Sequence, residues 1–327
     1  MEPRPVTDET RQEPSINPTR RSLVAGGAAG LAAAMTASAA TAQTSTPPAR
    51  FAGRHVLITG ATSGIGEVTA RAFAAEGARV SFNGRRAELG ERIAAEINED
   101  PAVQAAGGGA LYVQSDVRDE QQIIDFVRAA IDAHGPLHIA FNNAGVVFGN
   151  GSLTGNAPMA DIDVADFDDV WATNTRGLFL SMKHEIPRML ENPPWGARGL
   201  RGVIVNNSSV SAHGGFPTIT PYSTSKHGVL GLTRGGAMDY GGLGLRILGI
   251  APGGVDTPMR RASIEAQGRD PDEAQAPNLM HRTNTSQEMA EIVMFLATDA
   301  ASALNGVDLD VTGGMLTGPF APPNRNS

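Results

Sequence analysis

The chain has 327 residues, is 41% hydrophobic and 18% charged, and contains 39 glycines, which fits a globular α/β protein better than a disordered one. It has no cysteine, so disulfides, thiolate metal sites and cysteine nucleophiles are excluded. A net charge of -8 argues against nucleic acid as a main partner.

In chain order, residues 1–42 read as an export signal. Arg20-Arg21 stands directly before an uncharged Ala/Gly-rich run that ends in Ala40-Thr41-Ala42, a small-residue cleavage pattern. That run is too mildly apolar for a retained anchor, so no stable membrane insertion is expected after cleavage. The expected location is the periplasm, by twin-arginine export, or the cytoplasm if the signal is not used. The segment takes away as many acids as arginines, which leaves the net charge at -8. Residues 43–51 read as a linker.

Regular alternation then begins. Strands are expected at 55–59, 79–83, 110–114, 138–142, 202–208, 245–251 and 306–311. Helices are expected at 65–76, 87–98, 119–134, from 166 to about 190, at 222–240 and at 286–298. This rhythm predicts a single α/β domain over 52–316: a doubly wound, Rossmann-like fold with about seven parallel strands and helices on both faces. Segments 146–163 and 258–285 read as irregular, and both follow strands, so they belong at the carboxyl edge where ligands bind. Residues 317–327 read as a tail.

Three motifs carry chemistry. Thr59-Gly60-Ala61-Thr62-Ser63-Gly64-Ile65-Gly66 follows a strand and opens a helix, the context in which backbone N–H groups and a helix dipole hold a pyrophosphate. At the end of the second strand, Gly84-Arg85-Arg86 stands where an acid would hold the ribose of NAD. No carboxylate repels a 2′-phosphate there and two guanidiniums could grip it, so NADP(H) is favoured over NAD(H). Tyr222 and Lys226 lie four apart on a helix and so share a face. A phenol titrates near 10, too high for neutral acid–base work, and a neighbouring ammonium is expected to lower it. Ser209, at the end of the strand GVIVNNSS, can hydrogen-bond a substrate oxygen. The chain has only two lysines, Lys183 and Lys226. His184, His213 and His281 are lone histidines without acidic clusters, and no metal site is expected.

In order and spacing, TGATSGIG (59–66), NNAG (142–145), the Asn174 of WATNTRG, the Ser209 of NNSSV, YSTSK (222–226) and APGGVDTPM (251–259) resemble the short-chain dehydrogenases/reductases over about 52–316. The resemblance implies an oxidoreductase that interconverts a small secondary alcohol and a ketone. Tyr222 would be the acid/base, Lys226 its modulator and ribose anchor, Ser209 the group that orients the substrate oxygen. Asn174 would hold a relay water. Asp116-Val117 would bind adenine, Asn143-Ala144-Gly145 would line the cofactor, and Pro252, Gly253, Val255 and Thr257 would hold the nicotinamide carboxamide. It also implies a homodimer or homotetramer built on the helices at 166–190 and 222–240. Phe148, Ser211, Phe216 and Met259 are candidates for an apolar substrate pocket. Two other functions remain open: an NAD-linked catabolic dehydrogenase of a cyclic alcohol or diol, and a non-catalytic nucleotide-binding sensor. The second would be expected to have lost Tyr222, Lys226 or Ser209. The chain departs from the family at Thr312, where Asp is usual, at His138, and in a long insert at 192–202 that carries Trp195.

Overall fold

The computed structural model describes residues 49–149, 157–265, 267–274 and 276–318. The export signal, most of the expected linker, the end of the tail and part of the expected substrate loop lie outside the described residues.

Seven strands form one sheet: β1 (His55–Thr59), β2 (Arg79–Gly84), β3 (Gly109–Gln114), β4 (Ile139–Asn142), β5 (Gly202–Asn207), β6 (Leu245–Pro252) and β9 (Asp308–Val311). The order is β3-β2-β1-β4-β5-β6-β9 and every pairing is parallel. All five residues of β1 and all eight of β6 are buried, the pattern of parallel strands covered on both faces. The period of two then divides the core. Val56, Ile58, Val203 and Val205 face one layer with Phe73, Ile93 and Val293; Leu57 and Ile204 face the other with Phe126, Leu178 and Val229. The first layer is covered by α1 (Gly64–Ala75), α2 (Ala87–Glu99) and α9 (Ser286–Leu296). The second is covered by α4 (Glu120–His134), α6 (Gly177–Leu190) and α7 (Thr220–Tyr240). Sequence order reverses between β1 and β4, which makes the crevice between their carboxyl ends the switch point of the sheet.

The expected strands are all present, and the differences are local. Phe51, placed by sequence in the linker, is a core residue: its ring meets Phe73 edge-on with centroids 4.7 Å apart. A short helix, α3 (Pro101–Ala106), occupies a stretch read as connection; Asp100 caps it and Pro101 opens it. Another, α8 (Pro258–Glu265), stands at the start of the segment read as irregular, with Thr257 Oγ1 accepting from Arg260 N at 3.2 Å. Short strands β7 (Val255–Asp256) and β8 (Asn284–Thr285) pair on either side of it. The single helix expected from 166 to 190 is α5 (Val164–Trp171), a π-helical turn at Ala172–Arg176, then α6. The insert at 192–202 closes on itself through mutual Trp195–Leu200 backbone bonds, and Arg54 stacks over the Trp195 ring at 4.2 Å. Thr312 is fully buried and its Oγ1 accepts from Met315 N, so the hydroxyl pins the C-terminal turn locally.

Between the sheet and α6 lies a buried polar chain. Asn142 Nδ2 donates to Glu185 Oε2 at 3.0 Å and to Asn206 Oδ1 at 3.2 Å, and Asn206 Nδ2 donates to Thr233 Oγ1 at 2.9 Å. Glu185 Oε1 and Asn142 Oδ1 have no partner among the described residues. Burial pushes the Glu185 carboxyl up to about 7. A carboxyl raised in the folded state holds its proton more tightly there than in the unfolded chain. Stability is therefore lost as pH rises from the ordinary carboxyl range through about 7. Full ionisation costs about 3 kcal/mol. Glu185→Gln keeps the shape and the acceptor for Asn142 Nδ2, and it has no charge to bury. The variant is expected to melt several degrees above the wild type near pH 8, at roughly 2–4 °C per kcal/mol, and to match it near pH 5. Thermal melts across that range check this.

Candidate active site

The glycine-rich turn is bolted to the switch point. Gly60 has φ +68, and a Cβ there would lie 2.6 Å from Ala144 Cα. Thr59 Oγ1 accepts from Asn143 N at 3.1 Å and Ala144 N at 3.2 Å, while Asn143 Nδ2 donates to Thr59 O and Gly60 O. A Cβ on Gly66 would sit 2.5 Å from that same Nδ2. From the other side, Asn83 Oδ1 accepts from Gly60 N at 2.9 Å, and Asn83 Nδ2 donates to Ser115 Oγ. Asn143 and its neighbours therefore brace the glycine-rich turn. Asn83 and Ser115 were missed, because a polar residue at a strand end has no local signature. At the start of α1, Ser63 makes no side-chain cap bond, so the first-turn N–H groups of Gly64, Ile65 and Gly66 keep an open face. A flush backbone and an uncapped helix start fit the phosphates of a nicotinamide dinucleotide.

The adenosine end is more committed than the sequence suggests. Gly84 is sealed by Thr62, whose Cγ2 would lie 2.5 Å from any Cβ, so an acidic side chain has no room there. Arg85 is exposed. Arg86 donates to Thr62 Oγ1 at 3.0 Å and Ser63 Oγ at 2.7 Å, which lays its guanidinium across the turn rather than leaving it free. The Asp116 carboxylate is gripped by Arg118, at 2.6 Å from Nη2, and Val117 is buried against α6. Pro252 ends β6, Gly253, Val255 and Thr257 follow it, and Thr257 Cγ2 comes 3.5 Å from a Cβ built on Gly64, so this segment closes over the turn.

At the centre, Ser209, Tyr222 and Lys226 are brought together. Ser209 begins a 3-10 turn at Val210–Ala212, and its Oγ accepts from Ser211 N at 3.1 Å. Tyr222 enters in the first turn of α7. Burial pushes its phenol up, and the Ser209 hydroxyl, hydrogen-bonded to it, pulls the other way. Burial thus raises the phenol where the neighbouring ammonium is expected to lower it. Lys226 is 4% exposed, lies over the Tyr222 ring 5.6 Å from its centroid, and donates to Asn207 O at 2.7 Å. Burial pulls its own pKa down to about 8, with Asp308 acting against that fall. Asn174 sits in the π-helical turn, a geometry that recurs at functional sites. Its side chain holds both Val146 N and Val146 O at 2.8 Å and donates to Ser225 Oγ, so a water kept here would need its backbone. A water-sized cavity lined by Thr59, Asn142, Asn174 and Asn207 adjoins it. Gly145 carries no side chain between Asn174 and Lys226; a Cβ there would lie 3.6 Å from Nζ.

The expected substrate residues are spread around this centre. Phe148 lines an apolar cleft with Ile162, Val170, Ile219 and Pro221, the last adjacent to Tyr222. Ser211 is buried, Phe216 is half-buried and Met259 is 44% exposed on α8. Among the described residues no cluster of side chains could hold a metal.

The sequence and the fold that carry this site are similar to those of known proteins. The model of a family described as short chain dehydrogenase matches residues 54–268. Levodione reductase of Leifsonia aquatica is 36% identical over 276 residues, spanning 83% of this chain and 97% of its own. A 2,5-dichloro-2,5-cyclohexadiene-1,4-diol dehydrogenase of Sphingobium indicum is 34% identical, spanning 81% and 97%. A crystal structure of levodione reductase superposes with a TM-score of 0.70, covering 81% of this chain and 98% of that one. A 3-ketoacyl-(acyl-carrier-protein) reductase from Brucella melitensis, solved with NADH, superposes with a TM-score of 0.68 at 30% identity, over 81% and 98%. With the seven-stranded sheet and the Ser–Tyr–Lys centre, these matches make the chain a member of the short-chain dehydrogenase family, an NAD(P)-dependent alcohol dehydrogenase or ketoreductase.

Proposed function

We propose that this enzyme uses NADP(H) to interconvert a cyclic secondary alcohol and its ketone, with Tyr222 as the acid/base. The observation that carries the cofactor preference is Gly84: Thr62 fills the space of a side chain, so no carboxylate can stand there, and Arg85 beside it is exposed. When bound, the nicotinamide supplies hydride exchange with the carbinol carbon. The chain's own residues do the rest. Ser209 Oγ orients the substrate oxygen, Tyr222 Oη takes its proton in oxidation and returns it in reduction, and the Lys226 ammonium supports the phenolate. Asn174 and the adjoining cavity offer the proton an inner route.

A cyclic substrate is supported by the apolar surface around Phe148 and by the relative named for a cyclohexadiene-1,4-diol. The same relative, and the Brucella reductase solved with NADH, favour a second reading, an NAD-linked diol dehydrogenase. Arg86, already bonded to Thr62 and Ser63, leans the same way. Assembly as a dimer or tetramer is supported by exposed apolar residues on the two helices expected to pair, Phe179 (49%) on α6 and Met238 (85%) on α7. Export through residues 1–42 remains part of the proposal, with cofactor loaded before transit. It fails if fractionation finds only uncleaved cytoplasmic protein.

The test is to denature the purified enzyme and identify released nucleotide by mass spectrometry, then to titrate NADP+ and NAD+ with a panel of cyclohexanediols. Arg85→Glu is expected to raise the KM for NADP+ roughly tenfold or more, from the loss of a charge-assisted bond, and to leave NAD+ nearly unchanged. Equal effects on both cofactors would favour the NAD-linked reading.

A further inference from the structure

His213, a lone histidine in the sequence, is not alone in the fold. It ends the 3-10 turn that Ser209 begins, with its N–H bonded to Val210 O at 3.0 Å. Its Nε2 lies 2.8 Å from Oδ2 of Asp308, the first residue of β9 and 95 positions away in sequence. The Asp308 side chain is 1% exposed. Room for it is made on the next strand: Asp308 pairs with Gly249 of β6, and a Cβ on Gly249 would collide with Asp308 Oδ1. The Ser208 hydroxyl, otherwise without a partner, lies beside the carboxylate and can donate once its rotor turns.

A buried carboxylate is costly unless it is paired. The groups acting on this one come from three elements: His213 from the serine turn, Ser208 from the end of β5, and Lys226 from α7. Lys226 reaches the same place: its Nζ donates to Asn207 O at 2.7 Å, one residue before Ser208, and Asp308 is the charge that opposes the effect of burial on that ammonium. Among the described residues no carboxylate is hydrogen-bonded to Lys226 Nζ, whose bond goes to Asn207 O.

We propose that Asp308, clamped by His213, is a positioning residue of the active site: it is the buried counter-charge of Lys226 and ties the Ser209 turn to the last strand. The inference rests on the reading of Tyr222 and Lys226 given above. The pair works at long range on the Lys226 proton and at short range on the angle of the serine. Removing the carboxylate charge leaves the ammonium with burial alone, so it releases its proton more easily.

With two lysines in the chain, lysine-selective isotope labelling gives two side-chain NMR signals, and Lys183→Arg assigns them. The Lys226 midpoint is followed by pH titration in the wild type and in Asp308→Asn, which keeps the shape and removes the charge. The midpoint is expected to fall by roughly half to one pH unit in Asp308→Asn. His213→Gln frees Asp308 to take up a proton at higher pH and is expected to produce a smaller fall; it serves as the test if Asp308→Asn does not fold. If wild-type Lys226 titrates like exposed Lys183, the site reading falls and the inference with it. If Lys226 titrates low in the wild type but does not move in the folded variants, the inference alone is overturned.

Discussion

Tyr222→Phe folds, binds nicotinamide nucleotide with wild-type affinity, and loses roughly 10²–10⁴-fold in kcat/KM, the range a positioned general acid/base contributes. The change removes one oxygen and keeps the ring over which the Lys226 ammonium lies, so packing in the first turn of α7 is spared. What is lost is the hydroxyl that pairs with Ser209, whose hydrogen bond opposes the upward push of burial on the phenol. With no proton carrier beside the substrate oxygen, hydride transfer must create a bare alkoxide or a protonated carbonyl. Ser209 Oγ remains to orient the oxygen, which leaves the KM for the cyclohexanediol changed far less than kcat. Steady-state kinetics beside a fluorescence titration of nucleotide checks both halves. A variant within about tenfold of wild-type turnover would remove Tyr222 from the chemistry.

The fold was legible because its signals are local and repeated. Seven apolar runs, six of them followed by helical spacing, predict the parallel sheet, and fully buried strands such as β6 read as hydrophobic stretches broken only by Arg246. The site was legible for the same reason: Gly60 and Gly66 leave a mark in sequence since any Cβ would strike Ala144 or Asn143. What escaped depends on distance in the chain. Asn83 braces the glycine-rich turn from a strand end, and Asp308 meets His213 across 95 positions; neither has a neighbour in sequence that announces it. The expectation for the tyrosine missed through physics rather than pattern. Spacing places Lys226 beside Tyr222, but spacing carries no burial, and burial raises the phenol and lowers the amine together. Arg86 is a similar case, a charge free on paper whose guanidinium lies on Thr62 and Ser63.

Lys226→Arg is the sharper test of that coupled pair. The substitution preserves positive charge and length, so a purely electrostatic role would survive it. The structure gives three reasons why activity does not. The side chain is 4% exposed, its Nζ donates to Asn207 O at 2.7 Å, and the space between it and Gly145 is about that of one methyl group, since a Cβ there would lie 3.6 Å from Nζ. A planar guanidinium is wider than that space and presents its donors in a fixed fork, so it cannot keep the single bond to Asn207 O without crowding its buried neighbours. The second reason is solvation: the buried amine relieves its own cost by titrating near 8, whereas a guanidinium stays charged at every working pH. The third follows from the proposed proton route: an amine can release its proton and an arginine cannot. The variant is therefore expected to lose roughly 10²–10³-fold in kcat/KM and to melt lower than the wild type. The inflection near pH 8 in the wild-type profile should vanish rather than move, since no group is left to titrate there. Near-normal turnover with the inflection intact would mean that Lys226 serves only as a charge, and the proton must then leave the site by another path.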